Sequence, residues 1–502
     1  MIQSIDLVVP SGVSAPFVVL QWVSVLPVLA FAALGLNYLA LTVLGMKRTL
    51  RASPPPDAPP PPATDSPPVL IQIPVFNEGR LVEQVLRAVG ALDYPRERLS
   101  IQLLDDSDDG SHPDNRDLAL RVAGELGLRV EVLHRVNRHD YKAGALAAGL
   151  AQSTAPFVAL FDADFLPPRD FLRRTVPLFA DPTVGFVQAR WGHANRAQTL
   201  LTLAQATVLD AHFLVEQGTR SAVGLPVAFN GTCGVWRRAA LDSAGGWQGD
   251  TLTEDLDLAL RTALIGYHGV FLPDLVVPGE LPESTRAWQT QQYRWTKGFA
   301  QVLFKLGGRI WTAPWPLTWR VAVTLQLFQA CFFPLAVASV LLTLPAVILD
   351  LPLVSPVGEI LTVCGLLGLG GVVAFLTRAQ MLDGRLHPWR TPRDIVLALT
   401  FTSGLMLSNT RAVIEAGLRR NSPFVRTPKK TAGLARPRPR AGGLRWPELL
   451  LGVAMVALFF LEQAWNAPFL AVLGTGLILL GMPDVWPLVR ASVLRETSSR
   501  PS

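Results

Sequence analysis

Apolar runs long enough to cross a bilayer lie towards both ends of this chain of 502 residues, and an ordinary globular composition lies between them. They fall at 17–46, at roughly 320–349 and 354–377, and as a pair near 447–463 and 467–483. Overall, 50% of the residues are hydrophobic and 17% charged, a bias that comes from these runs and not from the middle of the chain. The first run lacks a basic start and is followed by Lys47, Arg48 and Arg51, so it reads as an anchor and not as a cleavable signal. A fold that satisfies this pattern is a globular domain held between membrane helices. The three cysteines, Cys233, Cys331 and Cys364, have no spacing that suggests a metal site or a disulfide framework.

The net charge of +6 is unevenly spread. Nine Lys and Arg and no acid lie between Arg419 and Arg445, wedged between apolar segments. That position marks the cytoplasmic side of a membrane and anionic headgroups, not nucleic acid. The basic flank at 47–51 likewise puts the globular domain in the cytoplasm. The stretch Ile395–Gly417 is apolar but carries Thr400, Thr402, Ser403, Ser408, Asn409, Thr410, Arg411 and Glu415, with basic residues on both sides. It is expected to lie in the interface or re-enter, which leaves five crossings and a cytoplasmic C-terminus.

Residues 52–68 form a proline-rich spacer, and a domain starts at Val69. Apolar strands alternate with helical patterns from there: 69–75, a helix near 81–92, 101–104, a helix near 118–126, 130–133, a helix from about Lys142, and 157–161. This spacing predicts an α/β fold with a mostly parallel sheet covered on both faces. Ligands of such sheets bind beyond the carboxyl ends of the strands. The acidic and polar clusters fall there: Asn77-Glu78 after the first strand, Asp105-Asp106 after the second, and Asp162 and Asp164 after the last. Residues i and i+2 of a strand point the same way, so Asp162 and Asp164 can converge on one divalent cation, the kind shared with substrate phosphates. An enzyme that expels a nucleoside diphosphate needs such a cation.

Eight segments in order resemble the processive, inverting family 2 glycosyltransferases of the cellulose synthase superfamily, in particular the glucomannan and xyloglucan-backbone branch. They are Ile73-Pro74-Val75-Phe76-Asn77-Glu78, Leu104-Asp105-Asp106-Ser107, Tyr141-Lys142-Ala143-Gly144-Ala145-Leu146, Phe161-Asp162-Ala163-Asp164, Gln188-Ala189-Arg190-Trp191, Phe229-Asn230-Gly231-Thr232, Thr253-Glu254-Asp255 and Gln291-Gln292-Tyr293-Arg294-Trp295. The resemblance covers roughly 69–430. It implies a GT-A-type nucleotide-sugar domain, a Mg²⁺ or Mn²⁺ cofactor, a nucleotide-sugar donor, a glycan acceptor and a β-linked polymer, with β-1,4 as the expected linkage. The donor stays open between GDP-mannose and UDP-glucose. The domain expectation is an anchor at 1–51, the linker at 52–68, the catalytic domain at 69–310, two membrane helices within 311–393, an interfacial helix and basic loop at 394–445, two more membrane helices within 446–490, and a tail at 491–502. The host membrane is expected to be a bacterial plasma membrane or a Golgi-type one, with the catalytic domain cytoplasmic.

Each motif also has a plain physical reading. Asp105 and Asp106 can accept from a nucleobase or ribose, or close an Asx turn. Lys142 opens a helix whose amides and charge suit a diphosphate. Asn77 and Glu78 either shape the nucleotide pocket or cap the helix near Leu81. Thr253 reads as an N-cap, with Glu254 and Asp255 in the first turn, where the helix is expected to depress the carboxyl pKa. The resemblance makes Asp255 the general base on the acceptor hydroxyl and puts Glu254 beside the acceptor. Gln291, Arg294 and Trp295 share one helical face, giving a phosphate fork and a sugar platform, or else a helix lying on the membrane. Phe424, Arg426, Thr427 and Lys429 resemble the family's gating loop; without that context they are a charged linker. Two rival functions remain at this level: a membrane glycolipid synthase acting on diacylglycerol, and a non-catalytic glycan export subunit. Accessory export partners are not written in the sequence.

Overall fold

The computed structural model describes residues 15–47, 66–79, 81–348, 357–420, 422, 444–461 and 468–482. Seven strands form one sheet: β1 (Val69–Val75), β2 (Leu99–Asp105), β3 (Val130–His134), β4 (Phe157–Leu160), β5 (Val184–His193), β6 (Gly234–Arg237) and β7 (His268–Gly279). Their order across the sheet is β3-β2-β1-β4-β6-β5-β7. β6 runs antiparallel to both of its neighbours, and every other pairing is parallel.

The register of β1 explains why both faces are covered. Val69, Ile71, Ile73 and Val75 enter one apolar cluster with the helices Leu81–Gly90 and His112–Leu126, while Leu70 enters a second cluster with the helix Tyr141–Leu150. Strands buried on both faces are continuous apolar runs, and VLIQIPV is one. The polar exception, Gln72, is fully buried and donates to Gln102 Oε1 and to the Leu146 carbonyl. The helix expected near 118–126 begins earlier, at His112, with Pro113 in its first turn.

Helices Ala15–Lys47 and Val357–Leu382, and the run Leu317–Leu342, are long and apolar enough to cross a membrane. Two shorter apolar helices, Trp446–Leu461 and Pro468–Gly481, follow. Leu26, Leu341, Leu366 and Val453 project from these helices, exposed. The segment expected at the interface is two helices, Arg390–Ser403 and Met406–Gly417, broken at Gly404-Leu405. Arg190 on β5 pairs with Asp383, just past the end of Val357–Leu382, at 3.0 Å, which ties the sheet to that helix. Between the helices Leu200–Asp210 and Gly218–Val223 the chain makes a π-helical turn, Ala211–Gln217.

Candidate active site

The carboxyl ends of β1, β2 and β4 open on the same side, because these strands run parallel, and the acids follow. Beyond β1, Asn77 takes a left-handed conformation (φ 53°). Its backbone N–H donates to Ser107 Oγ at 2.9 Å and its amide to Asp108 Oδ1, while its own Oδ1 accepts from the Asp108 N–H. The Glu78 carbonyl accepts from the Leu81 N–H, so this pair both starts the helix Leu81–Gly90 and binds two loops together.

Asp105 is fully buried. Its carboxylate accepts from the Ser107 N–H, from His112 Nδ1 and from Asn115 Nδ2, at 2.9, 3.0 and 3.1 Å. Burial alone would raise its pKa, but these hydrogen bonds outweigh burial and hold the carboxyl below the usual range. Asp106 is gripped by both arms of Arg135, Nε at 2.9 Å and Nη2 at 2.5 Å. Arg135 also donates to the Tyr141 carbonyl and so fixes the turn before Lys142.

The second cluster is built around Lys142. Its Nζ donates to Asp162 Oδ1 at 2.5 Å and to the Gly231 carbonyl at 3.0 Å. Burial opposes the charge, but Asp162, Glu254 and Asp255 outweigh it and hold the ammonium above its usual range. The Asp162 N–H is fixed by Thr232 Oγ1. Gly231 has φ +80°, and a Cβ there would lie 2.8 Å from Asp255 Oδ2, so glycine is required both by conformation and by the closeness of that carboxylate.

Glu254 and Asp255 open the helix Glu254–Leu264. Thr253 occupies the N-cap position, yet its side chain makes no cap hydrogen bond. Its side chain packs against Gly298 of the helix Thr285–Thr312, where a Cβ would meet Thr253 side-chain atoms at 2.4 Å. The expected depression of the Asp255 pKa is overturned. Burial, and next the neighbouring Glu254 carboxylate, push its carboxyl up to about 7. The Leu256 N–H at 2.8 Å pulls the other way and loses. Glu254 is raised by burial too.

Gln291, Arg294 and Trp295 all lie on Thr285–Thr312. Arg294 is within electrostatic reach of Glu254, Asp162 and Asp255, and burial, the largest influence, lowers its pKa. Trp295 packs against Trp191 of β5, ring centroids 6.3 Å apart. Farther along the helix, Lys297 is fully buried and donates to Glu415 Oε2, to the Arg420 carbonyl and to Ser422 Oγ, which draws the segment after Met406–Gly417 towards the site. A cleft of about 420 Å³ is lined by Tyr141, Lys142, Asp250, Glu254, Gln301 and Ser422, among others. Phe424, Arg426, Thr427 and Lys429 lie outside the described residues.

Lys142, Asp162, Glu254, Asp255 and Arg294 therefore form one charged cluster, whereas the Asp105 and Asp106 carboxylates are held by partners of their own. Among the described residues no three His, Cys, Asp or Glu side chains group as a metal centre. The carboxylates of Asp162 and Asp164 would fit a divalent cation as two hard oxygen donors, with phosphate and water left to complete the sphere, which is the division Mg²⁺-type sites adopt. Arg135 lies outside the sequence motifs, and Gly231 and Thr232 lie within the Phe229–Thr232 segment with no site role readable from it; the signal for Gly231 is a glycine inside a family motif.

The chain is similar to known glycosyltransferases. The model for glycosyl transferase family 2 matches residues 70–243, and that for glycosyl transferase family group 2 matches residues 157–350. The chain is 41% identical over 281 residues to glucomannan 4-beta-mannosyltransferase 1 of Oryza sativa subsp. japonica, covering 54% of this chain and 54% of the relative. It is 43% identical over 244 residues to glucomannan 4-beta-mannosyltransferase 2 of Arabidopsis thaliana, covering 48% and 46%. The chain thus spans about half the length of the curated relatives it matches. Among solved structures it shares the fold of the mannosyltransferase PcManGT from Pyrobaculum calidifontis, a complex with GDP-Man and Mn²⁺: TM-score 0.54, 21% identity, 76% of this chain and 97% of that one. The two family models together span residues 70–350, so that part of the chain is a family 2 glycosyltransferase domain, and its mostly parallel sheet is GT-A-like.

Proposed function

We propose that this protein is a membrane-embedded, inverting β-mannosyltransferase that lengthens a β-1,4-linked polysaccharide from GDP-mannose. The names of its relatives support the sugar and the linkage. The observation that carries the mechanism is that Lys142 donates to both Asp162 and the Gly231 carbonyl while Asp255 lies against Gly231.

Asp162 and Asp164 would hold a divalent Mg²⁺ or Mn²⁺, which when bound neutralises charge on the departing diphosphate. Lys142 adds a fixed positive charge on the same side. Asn77, Glu78, Asp105 and Asp106 shape the nucleotide end: Asp105 sets the loop through Ser107, and Asp106 sets the Lys142 turn through Arg135. Asp255 Oδ takes the proton of the acceptor hydroxyl as that oxygen attacks the anomeric carbon from the face opposite the phosphate. The C1–O bond to the diphosphate breaks, GDP leaves, and the anomeric configuration inverts in one step. A carboxyl pushed up to about 7 is well matched to this proton transfer near neutral pH. Arg294 and Glu254 complete the charge balance, while Trp295 with Gln291 supplies the surface for the acceptor sugar.

The domain division set out from the sequence, five crossings with Ile395–Gly417 in the interface, and a cytoplasmic catalytic domain complete this reading. The deciding experiment incubates the detergent-purified full chain with GDP-mannose or UDP-glucose and Mn²⁺ or Mg²⁺, followed by linkage analysis. The expected product is a polymer of β-1,4-mannosyl units made from GDP-mannose. A product extractable with lipid would establish a glycolipid synthase instead, and glucosyl polymer from UDP-glucose alone would overturn the donor.

A further inference from the structure

Behind the Asn230-Gly231 turn lies a chain of buried and half-buried polar groups whose hydrogen-bond directions can be solved in sequence. Gln217 ends the π-helical turn, and the backbone of Ala228 fixes its orientation: Gln217 Nε2 donates to the Ala228 carbonyl at 2.7 Å, and Oε1 accepts from the Ala228 N–H at 3.1 Å. The same Nε2 donates to Asn230 Oδ1 at 2.9 Å. Asn230 must then turn its NH₂ towards His212 Nε2, 3.0 Å away, and that nitrogen must accept. The imidazole proton is thereby assigned to Nδ1, which faces Glu216 Oε2 at 2.9 Å. The other oxygen of Glu216 lies 3.4 Å from Nε of the fully buried Arg220.

On its far side the turn is held as firmly. The Asn230 N–H donates to Gln188 Oε1, and Gln188 Nε2 donates to the Thr232 carbonyl. Gly231 lies between these anchors, with its carbonyl on Lys142 and its α-carbon against Asp255. A π-helical turn is a rare departure inside a helix and is frequently found at functional sites. Here it contains both His212 and Glu216.

We propose that His212 is a positioning residue: its neutral, Nδ1-protonated ring, oriented by Glu216, holds the Asn230 side chain and so fixes the Gly231 turn on which Lys142 and Asp255 are seated. The inference rests on the reading of that turn as the floor of the transfer site. A doubly protonated or absent imidazole leaves the Asn230 NH₂ without its acceptor, and a small displacement of reacting groups is costly to rate.

The test measures mannosyl transfer from GDP-mannose with Mn²⁺, GDP affinity and thermal stability on the detergent-purified full chain. His212→Phe should lower kcat by up to ~10²-fold with GDP affinity unchanged. His212→Gln, whose side-chain oxygen can stand where Nε2 stands, should recover most of that loss; His212→Asn, which reaches only the Nδ1 position, should not. Asn230→Ala should lower kcat similarly, and His212→Phe with Asn230→Ala together should be no worse than either alone. Wild-type kcat in His212→Phe, the reverse order of the Gln and Asn variants, or additive losses would overturn the proposal. If His212→Phe does not fold, the Gln and Asn pair decides the matter. Asp255→Asn is measured beside them: undiminished transfer in that variant removes the base assignment, and the loop inference is then judged on the His212 and Asn230 variants alone.

Discussion

Two pairs of consecutive acids, Asp105-Asp106 and Glu254-Asp255, stand at the ends of secondary-structure elements and look alike in the sequence. Their surroundings differ completely. Asp105 and Asp106 are supplied with Ser107, His112, Asn115 and Arg135, so burial costs them little, and Asp105 stays ionised below the usual range. Glu254 and Asp255 are buried beside each other, share the cation of Lys142 with Asp162, and are both raised. Asp105 is built to stay charged, and both acids of the first pair hold loops still. In the second, burial raises both carboxyls, Asp255 to about 7, which is the condition the proposed base role requires.

The comparison is broken most directly by neutralising one acid. Asp255→Asn should lower kcat by about 10²–10⁴-fold, the usual worth of a positioned base, and leave GDP binding intact. Asp164→Asn should lose both activity and metal-dependent GDP binding, because it removes a hard oxygen donor. Equal loss of GDP affinity in the two variants, read by calorimetry, would merge the roles separated here.

Next in size is the support of the first pair. Arg135→Ala leaves the buried Asp106 carboxylate without its two donors and frees the turn before Lys142. Stability should fall by about 1–3 kcal/mol in a denaturation series, the cost of an unsatisfied buried group. An unchanged midpoint would mean that water replaces Arg135 without loss.

The pH dependence of rate sharpens the second pair. A base works deprotonated, so kcat/KM should fall as pH drops below about 7, the value to which burial and Glu254 push Asp255. An acid limb near the ordinary carboxyl value would contradict the crowded environment.

The smallest effect is on stability. The ordinary Asp255 value is 3.8 and its folded value is about 7, so between these the folded chain binds more protons than the unfolded chain. Stability from this group therefore declines as pH rises through that window. Asp255→Asn abolishes the decline. Its melting temperature should exceed that of the wild type above about pH 7 and match it below about pH 4. A variant less stable than wild type at high pH would show that Asp255 makes more than a strained contribution there.

Legibility differed between regions for physical reasons. The first half of the sheet could be read because strands buried on both faces are unbroken apolar runs: Val69–Val75 has the predicted bounds, and the acids follow at the strand ends. The later strands could not. β5 has buried residues up to Ala189 but partly exposed ones after it, β6 is four residues long, and β7 contains two prolines and pairs through register shifts. The start of His112–Leu126 was missed because a polar first turn carries no helical apolar period.

The sequence by itself determined the family, the mostly parallel sheet, the apolar helices at both ends, and which residues could serve as acids, base and platform. Those are matters of residue type, local period and order. Only the tertiary structure decided which acids are neutralised and which are crowded, and that the Asp255 pKa rises where the helix N-terminus alone would lower it. It also decided that His212, from a π-helical turn, reaches the Asn230-Gly231 loop beside Asp255. Charge environment and hydrogen-bond direction depend on groups brought together from distant parts of the chain, and no local period records them.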